Sequence, residues 1–355
     1  MKPITKKFSF TLDDIILPQQ LPPLVLIAFN RPDLLTIVTE GIKQQSLQPQ
    51  QIIAFVDGYR QESDKPLIAE CVKILEDLAK FTPIEIVSRD SNLGCDRQIL
   101  TSLTEVLATY PSLVYLEDDI VPNPCFYDRM CRLLEAYRDC EEVFSLSAYA
   151  NVPRGFAQII NTDFMVSNRV FCWGLATWAN RWQKLDLINK PPQYNPFGKY
   201  YDIPANIQTK LTMVNQFWLE RNQQTDWNIS FNLGVLYHQG VHIIPMKSFI
   251  KNIGFGHPQA KTYKSNEPDW VNSAYDANSI PNILPENLAL PAPLQDYLTP
   301  TELSKYLQAK NLWLSLDDLI NLWRKYPNWQ LRLFLLSFFK ANLALLWSRW
   351  KRGGK

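Results

Sequence analysis

Three consecutive carboxylates, Glu117-Asp118-Asp119, directly follow a short apolar run at residues 113–116. Such a run predicts a strand buried on both faces, so the three acids fall at its carboxyl end. Adjacent carboxylates repel one another unless a cation or hydrogen-bond donors compensate their charge. Mg²⁺ and Mn²⁺ prefer oxygen ligands of this kind and bridge them to phosphates. The structural alternative is that the two aspartates cap the turn into the next helix while Glu117 forms an ion pair.

Polar residues also follow two other predicted strands. Asn30 and Arg31 come after residues 24–29, and Asp57 comes after residues 51–56. In an open α/β sheet, ligands bind beyond the carboxyl ends of the strands, so these side chains are predicted to share one sheet edge with the acidic triplet. The alternatives are a helix-flanking ion pair for Arg31 and a simple turn for Asp57.

The elements that position these residues follow from the pattern of apolar segments. Five apolar runs alternate with helical patterns, at residues 24–29, 51–56, 84–87, 113–116 and 143–146. This alternation predicts an α/β fold with a doubly wound sheet. Beyond residue 150 the alternation weakens, and helices are expected at 206–222 and from residue 226. The predicted organisation is a leader (1–20), an α/β domain (21–275), a Pro-, Asn- and Leu-rich linker (276–300) and a C-terminal helical segment (301–355).

Composition excludes some functions. The 36 basic and 35 acidic residues leave a formal net charge of +1, so nothing favours nucleic-acid binding. The six cysteines show no C-x-x-C pair and only three histidines are present, which argues against a zinc site. The first residues lack an apolar stretch after their positive charges, so a cytoplasmic location is predicted.

Three motifs together resemble the GT-A glycosyltransferases, in particular N-acetylglucosaminyltransferase I and its bacterial relatives. They are Leu-Ile-Ala-Phe-Asn-Arg-Pro at 26–32, Phe-Val-Asp-Gly at 55–58 and Val-Tyr-Leu-Glu-Asp-Asp at 114–119. The resemblance extends through residues 171–182 and Asp226-Trp227, and weakly to residue 262. It implies a GT-A-like, Rossmann-like mixed sheet. It also implies a metal-dependent transferase that moves a sugar from a nucleoside diphosphate, with a UDP-sugar favoured, to a hydroxyl acceptor with inversion.

The resemblance also implies roles for individual residues. Arg31 contacts the phosphates or base of the nucleotide, a role suited to its forked guanidinium. Asp57 accepts hydrogen bonds from the nucleobase. Glu117 and Asp118 hold sugar and ribose hydroxyls, while Asp119 is the direct ligand of Mn²⁺ or Mg²⁺. The metal stabilises the negative charge that develops on the departing nucleoside diphosphate.

Asp226 is the candidate general base. Inverting transfer requires a carboxylate that removes the proton of the acceptor hydroxyl as its oxygen attacks the anomeric carbon. Asp226 precedes Trp227 at a predicted helix start, so the alternative is an ordinary N-cap aspartate. Glu220, on a predicted helix face, is the fallback candidate.

Three further residues have two interpretations each. Arg97 follows a loop containing Gly94 and either reaches a phosphate or sugar or belongs to a plain helix start. Trp173 either stacks on an acceptor sugar or packs in the core. His257 follows a loop rich in glycine and is either a metal ligand or a surface histidine.

The C-terminal segment at 331–350 is long and apolar, but Arg332, Lys340 and Arg349 interrupt it. Its Trp and basic flanks favour a helix at a membrane surface, or docked on the catalytic domain, over a membrane span. The expected acceptor is a glycan or glycolipid, in polysaccharide or glycolipid assembly, and attachment to a membrane surface would suit a lipid-linked acceptor. Two alternatives remain: a non-catalytic nucleotide-sugar-binding scaffold, and a sugar nucleotidyltransferase, whose Gly-rich phosphate loop is lacking at residues 29–32.

Overall fold

A computed structural model describes most of the chain, and the chain divides into two compact units. The described residues are 11–152, 158, 160–188, 226–260, 265–291, 316–325, 332, 336, 339, 340, 343, 344, 346 and 347. The first unit comprises Met1–Pro191 and His238–Pro291, and the second comprises Pro192–Tyr237 and Ala292–Lys355.

The described strands are β1 (Leu24–Ala28), β2 (Ile52–Val56), β3 (Ile84–Ser88), β4 (Ser112–Glu117), β5 (Ile120–Pro122), β6 (Val143–Ser147), β7 (Phe164–Ser167), β8 (Leu175–Trp178), β9 (Val241–Pro245) and β10 (Ile250–Asn252). The described helices are α1 (Pro32–Lys43), α2 (Asp64–Leu78), α3 (Cys95–Leu107), α4 (Phe126–Ala136), α5 (Ala179–Leu185), α6 (Trp227–Tyr237) and α7 (Leu316–Lys325). Within the described part of the chain, no helix is long and apolar enough to cross a membrane.

The first unit is built on a mixed sheet, which has eight strands among the residues described. Their order is β3-β2-β1-β4-β8-β6-β9-β7. The first four run parallel, and all residues of β1 and β2 are buried, as continuous apolar runs require. The predicted α/β class with a doubly wound mixed sheet is confirmed.

The chain reverses its direction of winding between β1 and β4. From β1 it proceeds outward to β2 and β3, and then returns through α3 to pair β4 with the other side of β1. The carboxyl ends of β1 and β4 therefore flank a topological switch point, the place where open α/β sheets bind their ligands.

Strand β8 brings a later segment to the same edge. It runs antiparallel to β4, with Leu175 opposite Tyr115 near the end of β4. An antiparallel strand begins where its neighbour ends, so the residues just before Leu175 lie at the carboxyl end of β4.

A two-stranded ribbon adds another segment next to the acidic triplet. Strands β5 and β10 pair antiparallel, with Asn252 opposite Ile120. Beyond the ribbon, the backbone N–H of Ile253 donates a hydrogen bond of 2.9 Å to the carbonyl of Asp119.

The two segments that flank the predicted α/β domain pack on its core where they are described. Leu12 is fully buried, and its backbone N–H donates to the carbonyl of Asn282 at 2.9 Å. Leu284 and Leu288 are each only 3% exposed, and residues 276–291 belong to the first unit. The helix predicted from residue 226 is present as α6, whereas the one predicted at 206–222 lies outside the described residues.

Candidate functional site

Arg31 joins two strand ends at the switch point. It is the N-cap residue of α1, and Pro32 occupies the first helical position, where the fixed φ of proline suits the start of a helix. Nη2 and Nε of its guanidinium both donate hydrogen bonds to the carboxylate of Asp118, and Nη1 donates to Oδ2 of Asp119 at 2.7 Å. The pairing of β1 with β4 places these partners together, since Ile27 stands opposite Glu117. The structure therefore brings Arg31 together with the predicted triplet.

The triplet carries more negative charge than Arg31 compensates. Asp118 is only 2% exposed, and burial raises its pKa while Arg31 opposes the rise. Burial, and then the charge of Asp119, raise the pKa of Glu117 to about 8, although Arg31 and a hydrogen bond from Tyr115 act in the other direction. A second cation at this edge would relieve the remaining repulsion.

Like Glu117, and unlike the buried Asp118, Asp119 is partly accessible. Its side chain is 13% exposed, and Oδ2 faces Arg31. Oδ1 accepts no hydrogen bond from any residue that the structure describes. A Cβ atom built on Gly254 would lie 2.1 Å from Oδ2, so only a glycine lets the segment after β10 pass so close to this carboxylate.

The carboxylate oxygens at this edge fit a metal ion whose remaining ligands come from a nucleotide and water. Among the described residues, no group of three His, Cys, Asp or Glu side chains is arranged to hold an ion by itself. Mg²⁺ in phosphate-binding sites takes one or two carboxylates and completes its coordination with water and substrate phosphates. Asp119 offers one such carboxylate, with one oxygen available.

Asp57 organises the turn between β3 and α3. The side chain is 4% exposed and accepts hydrogen bonds from the backbone N–H groups of Gly58 (2.9 Å), Leu93 (2.8 Å) and Gly94 (3.0 Å). The side-chain amide of Asn92 donates a fourth, at 2.9 Å. A carboxylate has about four acceptor positions, so a nucleobase contact by Asp57 would replace one of these bonds. Arg97 is exposed in the first turn of the helix that follows.

A polar cluster around the buried Asp64, beside the switch point, was not anticipated from the sequence. Asn30 is 1% exposed and donates to Oδ1 of Asp64 at 2.7 Å. Arg60 donates to the same carboxylate through Nη2 (3.1 Å), Nε (3.2 Å) and its backbone N–H (3.1 Å). These bonds, chiefly those from the Arg60 side chain, lower the pKa of Asp64 to about 2. The available signal was the position of Asp64 at the start of α2, but its partners are not evident from spacing.

The loop after β10 also contacts α1. Nε2 of His257 lies 3.1 Å from Oδ2 of Asp33, and the histidine side chain is 15% exposed. His257 is therefore a partly buried partner of Asp33 and not an isolated surface histidine.

Asp226 caps α6 in the second unit. Its Oδ1 accepts a hydrogen bond of 3.0 Å from the backbone N–H of Ile229, which is the N-cap arrangement considered as the alternative. Its role as a base remains a prediction, and Glu220 lies outside the described residues.

Trp173 packs in an aromatic cluster. It is 9% exposed, with ring centroids 4.7 Å from Tyr149 and 5.2 Å from Phe171. This supports the core interpretation, because stacking on a sugar requires an open ring face. The exposed ring of the cluster is Trp270, at 48%.

Comparisons with known proteins give only distant similarities. No protein-family model matches the chain, and no curated protein sequence matches it. A TarS fragment from S. aureus (residues 1–349) aligns with a TM-score of 0.38 and 10% identity over 66% of this chain and 61% of the fragment. The mannosyltransferase PcManGT from Pyrobaculum calidifontis, in complex with GDP-Man and Mn²⁺, aligns with a TM-score of 0.37 and 12% identity over 64% of this chain and 72% of its own.

A UDP-glucose pyrophosphorylase complexed with UDP-glucose is similar at the same level. Its TM-score is 0.33 at 9% identity, over 63% of this chain and 90% of its own. TM-scores below 0.5 do not assign a function to this chain. The similarity to N-acetylglucosaminyltransferase I stays a prediction.

Proposed function

We propose that this protein is a metal-dependent glycosyltransferase that moves a sugar from a nucleoside diphosphate, with a UDP-sugar favoured, to a hydroxyl acceptor with inversion. One observation carries the proposal. Arg31 and the acidic triplet meet at the switch point of a doubly wound sheet, with excess negative charge and a partly accessible carboxylate on Asp119. That combination suits a cation and the diphosphate that accompanies it.

Each residue at this edge has a distinct part in the proposal. Asp119 would hold Mn²⁺ or Mg²⁺, which supplies charge neutralisation for the departing diphosphate. Asp118 was expected to hold a sugar or ribose hydroxyl, but it is buried and accepts hydrogen bonds from the guanidinium of Arg31. In the proposal Asp118 orients Arg31, and Arg31 would contact the nucleotide phosphates. Glu117 would bind hydroxyl groups of the donor sugar or the ribose. Asp226 is the proposed base that takes the acceptor proton.

Nucleotide-dependent stability tests the donor site. The thermal unfolding of the wild type and of Asp119→Asn should be followed with Mn²⁺ and UDP, GDP, CDP or dTDP. Ligand at about a hundred times its dissociation constant stabilises the native state by about 2.7 kcal/mol, a shift of a few degrees for a chain of this size. We expect one nucleotide to produce this shift with Mn²⁺ present, and Asp119→Asn to abolish it.

The control is Asp77→Asn, which changes an exposed acid on α2 that pairs with Lys80. It should leave the nucleotide effect intact. If no nucleotide shifts the wild type, the triplet is a structural cap and the donor site does not exist. If nucleotide binds but Asp226→Asn leaves sugar transfer unchanged, Asp226 is an N-cap and the base lies elsewhere. A wild type that binds the donor without any transfer is the scaffold alternative.

Membrane contact by the C-terminal segment is a further part of the proposal. Leu343, Leu346 and Trp347 are described there, and they are 49%, 53% and 64% exposed. Their spacing of three and four residues places them on one face of a helix. An exposed apolar face with Trp and nearby Lys and Arg suits the interface of a membrane, where a glycolipid acceptor would be found.

A further inference from the structure

Three aromatic rings form an exposed platform in the first unit, here called the Trp270 platform and defined as Phe171, Phe255 and Trp270. The ring centroid of Trp270 lies 6.0 Å from that of Phe171 and 6.4 Å from that of Phe255. Beneath it, Trp173 lies 5.2 Å from Phe171 and 6.2 Å from Phe255. Trp270 is 48% exposed although large apolar rings are normally buried, so its exposed surface needs an explanation.

The backbone that carries Trp270 is held rigidly. The next residue, Val271, is 1% exposed, and its carbonyl accepts a 2.7 Å hydrogen bond from the hydroxyl of Tyr149. Asn272 donates to the carbonyl of Asn252 at 2.9 Å and accepts from the backbone N–H of Asn252 at 3.2 Å. The exposed indole thus stands on a turn fixed to β10 and is not part of a loose loop.

Two independent connections place the platform beside Asp119. Phe255 directly follows Gly254, the residue that passes against the Asp119 carboxylate. Phe171 lies just before β8, whose first residue, Leu175, stands opposite Tyr115 near the end of β4. Both segments therefore reach the platform from the edge where the acidic triplet lies.

Polar groups surround the rings. The guanidinium carbon of Arg169 lies 5.1 Å from the Phe171 ring centroid. Glu267 is exposed close to Trp270 in the chain, and its Oε1 accepts a 2.7 Å hydrogen bond from Asn272. Small-molecule sites combine exposed aromatic side chains with a few charged or polar groups, the former for apolar contact and the latter for orientation, and both are present here.

We infer that the Trp270 platform binds a pyranose ring of the acceptor, with the apolar C–H face of the sugar stacked on the Trp270 indole. This rests on the proposed function, because only a glycosyl transfer at Asp119 gives an acceptor sugar a reason to bind there. A pyranose has one face of C–H groups and an edge of hydroxyls, which matches an aromatic surface with a polar rim. In this inference Trp270 has the role of stacking on an acceptor sugar, which the sequence analysis considered for Trp173.

The binding of free oligosaccharides tests the inference on the intact chain. Saturation-transfer NMR would be recorded with chitotetraose, cellotetraose and mannotetraose, for the wild type and for Trp270→Ala, Trp270→Phe and Phe81→Ala. Phe81 is the matched control, since it is 65% exposed and lies just before the start of β3, at the amino end of the strands. The wild type is expected to bind at least one oligosaccharide, and Trp270→Ala to bind it about tenfold more weakly. Trp270→Phe should retain part of the affinity, and Phe81→Ala all of it.

The thermal shift with Mn²⁺ and nucleotide is measured on the same four proteins to separate the two proposals. Nucleotide binding with no oligosaccharide bound, or with binding unaffected by Trp270→Ala, overturns the platform and leaves the donor site standing. Oligosaccharide binding that depends on Trp270, without any nucleotide effect, supports the platform as a sugar site and removes the transferase. If Trp270→Ala also lowers the nucleotide shift, the ring acts through the structure of the Asp119 edge, and the acceptor assignment fails.

Discussion

Oδ2 of Asp119 occupies the space in which a side chain at residue 254 would begin, 2.1 Å from a Cβ atom built on Gly254. Real Cβ atoms do not approach an oxygen so closely, so Gly254→Ala must move the Asp119 carboxylate or the loop. We expect the stabilisation by Mn²⁺ and nucleotide to fall from about 2.7 kcal/mol to less than about 1 kcal/mol. Isothermal titration with Mn²⁺ and the responding nucleotide measures the same loss directly.

Gly256→Ala is the matched control in the same loop. Gly256 has a φ of 72°, and no atom lies closer than 3.5 Å to a Cβ built there. Alanine at this position costs about 1 kcal/mol of backbone strain but does not touch Asp119. It should lower the melting temperature while keeping the nucleotide effect. An unchanged nucleotide effect in Gly254→Ala would show that Asp119 does not hold the metal.

Arg31→Gln should destabilise the fold itself. The substitution leaves Asp118, which is 2% exposed, without its charge partner. Breaking a buried ion pair from one side costs about 3 kcal/mol, which urea unfolding of the purified protein would show.

The double variant Arg31→Gln with Asp118→Asn separates charge from packing. It removes the uncompensated carboxylate, so it should recover a large part of the lost stability. A double variant in which the two losses simply add would contradict the importance of this pair.

The lowered pKa of Asp64 predicts that the free energy of unfolding decreases at acid pH. Its pKa is lowered in the folded state to about 2, first by the hydrogen bonds from Arg60, so the ionised form is favoured by folding. Its contribution is therefore complete above the unfolded pKa of about 4 and is lost as the pH falls toward 2. Because Arg60 is 47% exposed, we expect only about 1 kcal/mol.

The measurement compares the free energy of unfolding of the wild type and Asp64→Asn between pH 6 and pH 2. The two curves should differ at pH 6 and converge as the pH falls below about 4. Asp90→Asn, which alters an exposed acid of the same unit, is the control and should not reproduce the difference caused by Asp64→Asn. Curves for Asp64→Asn that stay parallel to the wild type would contradict the lowered pKa.

Membrane association is expected to depend on the exposed face of the C-terminal segment. Replacing Leu343, Leu346 and Trp347 together by Glu removes three exposed apolar side chains and adds negative charge. Co-sedimentation with vesicles containing anionic lipid should fall by at least tenfold. Ile16→Glu, which changes an 88% exposed apolar residue of the first unit, is the control and should bind as the wild type does. Equal binding by the triple variant would exclude this face as the contact.

Those parts of the site that are determined by residues close together in the chain can be predicted from the sequence. The apolar runs of β1, β2 and β4 and their polar ends are local patterns, and the α/β class follows from the alternation of elements. The strand order, and with it the switch point between β1 and β4, was not predicted. The hydrogen bonds that Asp57 accepts from residues 92–94 and the approach of Gly254 to Asp119 were not predicted, because each joins segments that are distant in the chain. Likewise, no periodicity distinguishes the buried Trp173 from the exposed Trp270, since their exposure depends on how several segments pack together.

The hydrogen bond from Ile253 to Asp119 has a consequence for the order of folding. It links the turn after β4 to a segment that is synthesised only after β6, β7, β8 and β9, so its two partners are far apart in the chain. Contacts of this kind form late, because the chain between them must first be ordered. A growing chain that has emerged only as far as β8 already contains Arg31 and the whole acidic triplet but not the glycine that passes against it. Nucleotide binding would therefore begin only once synthesis has passed β10, and it would report that the sheet is complete.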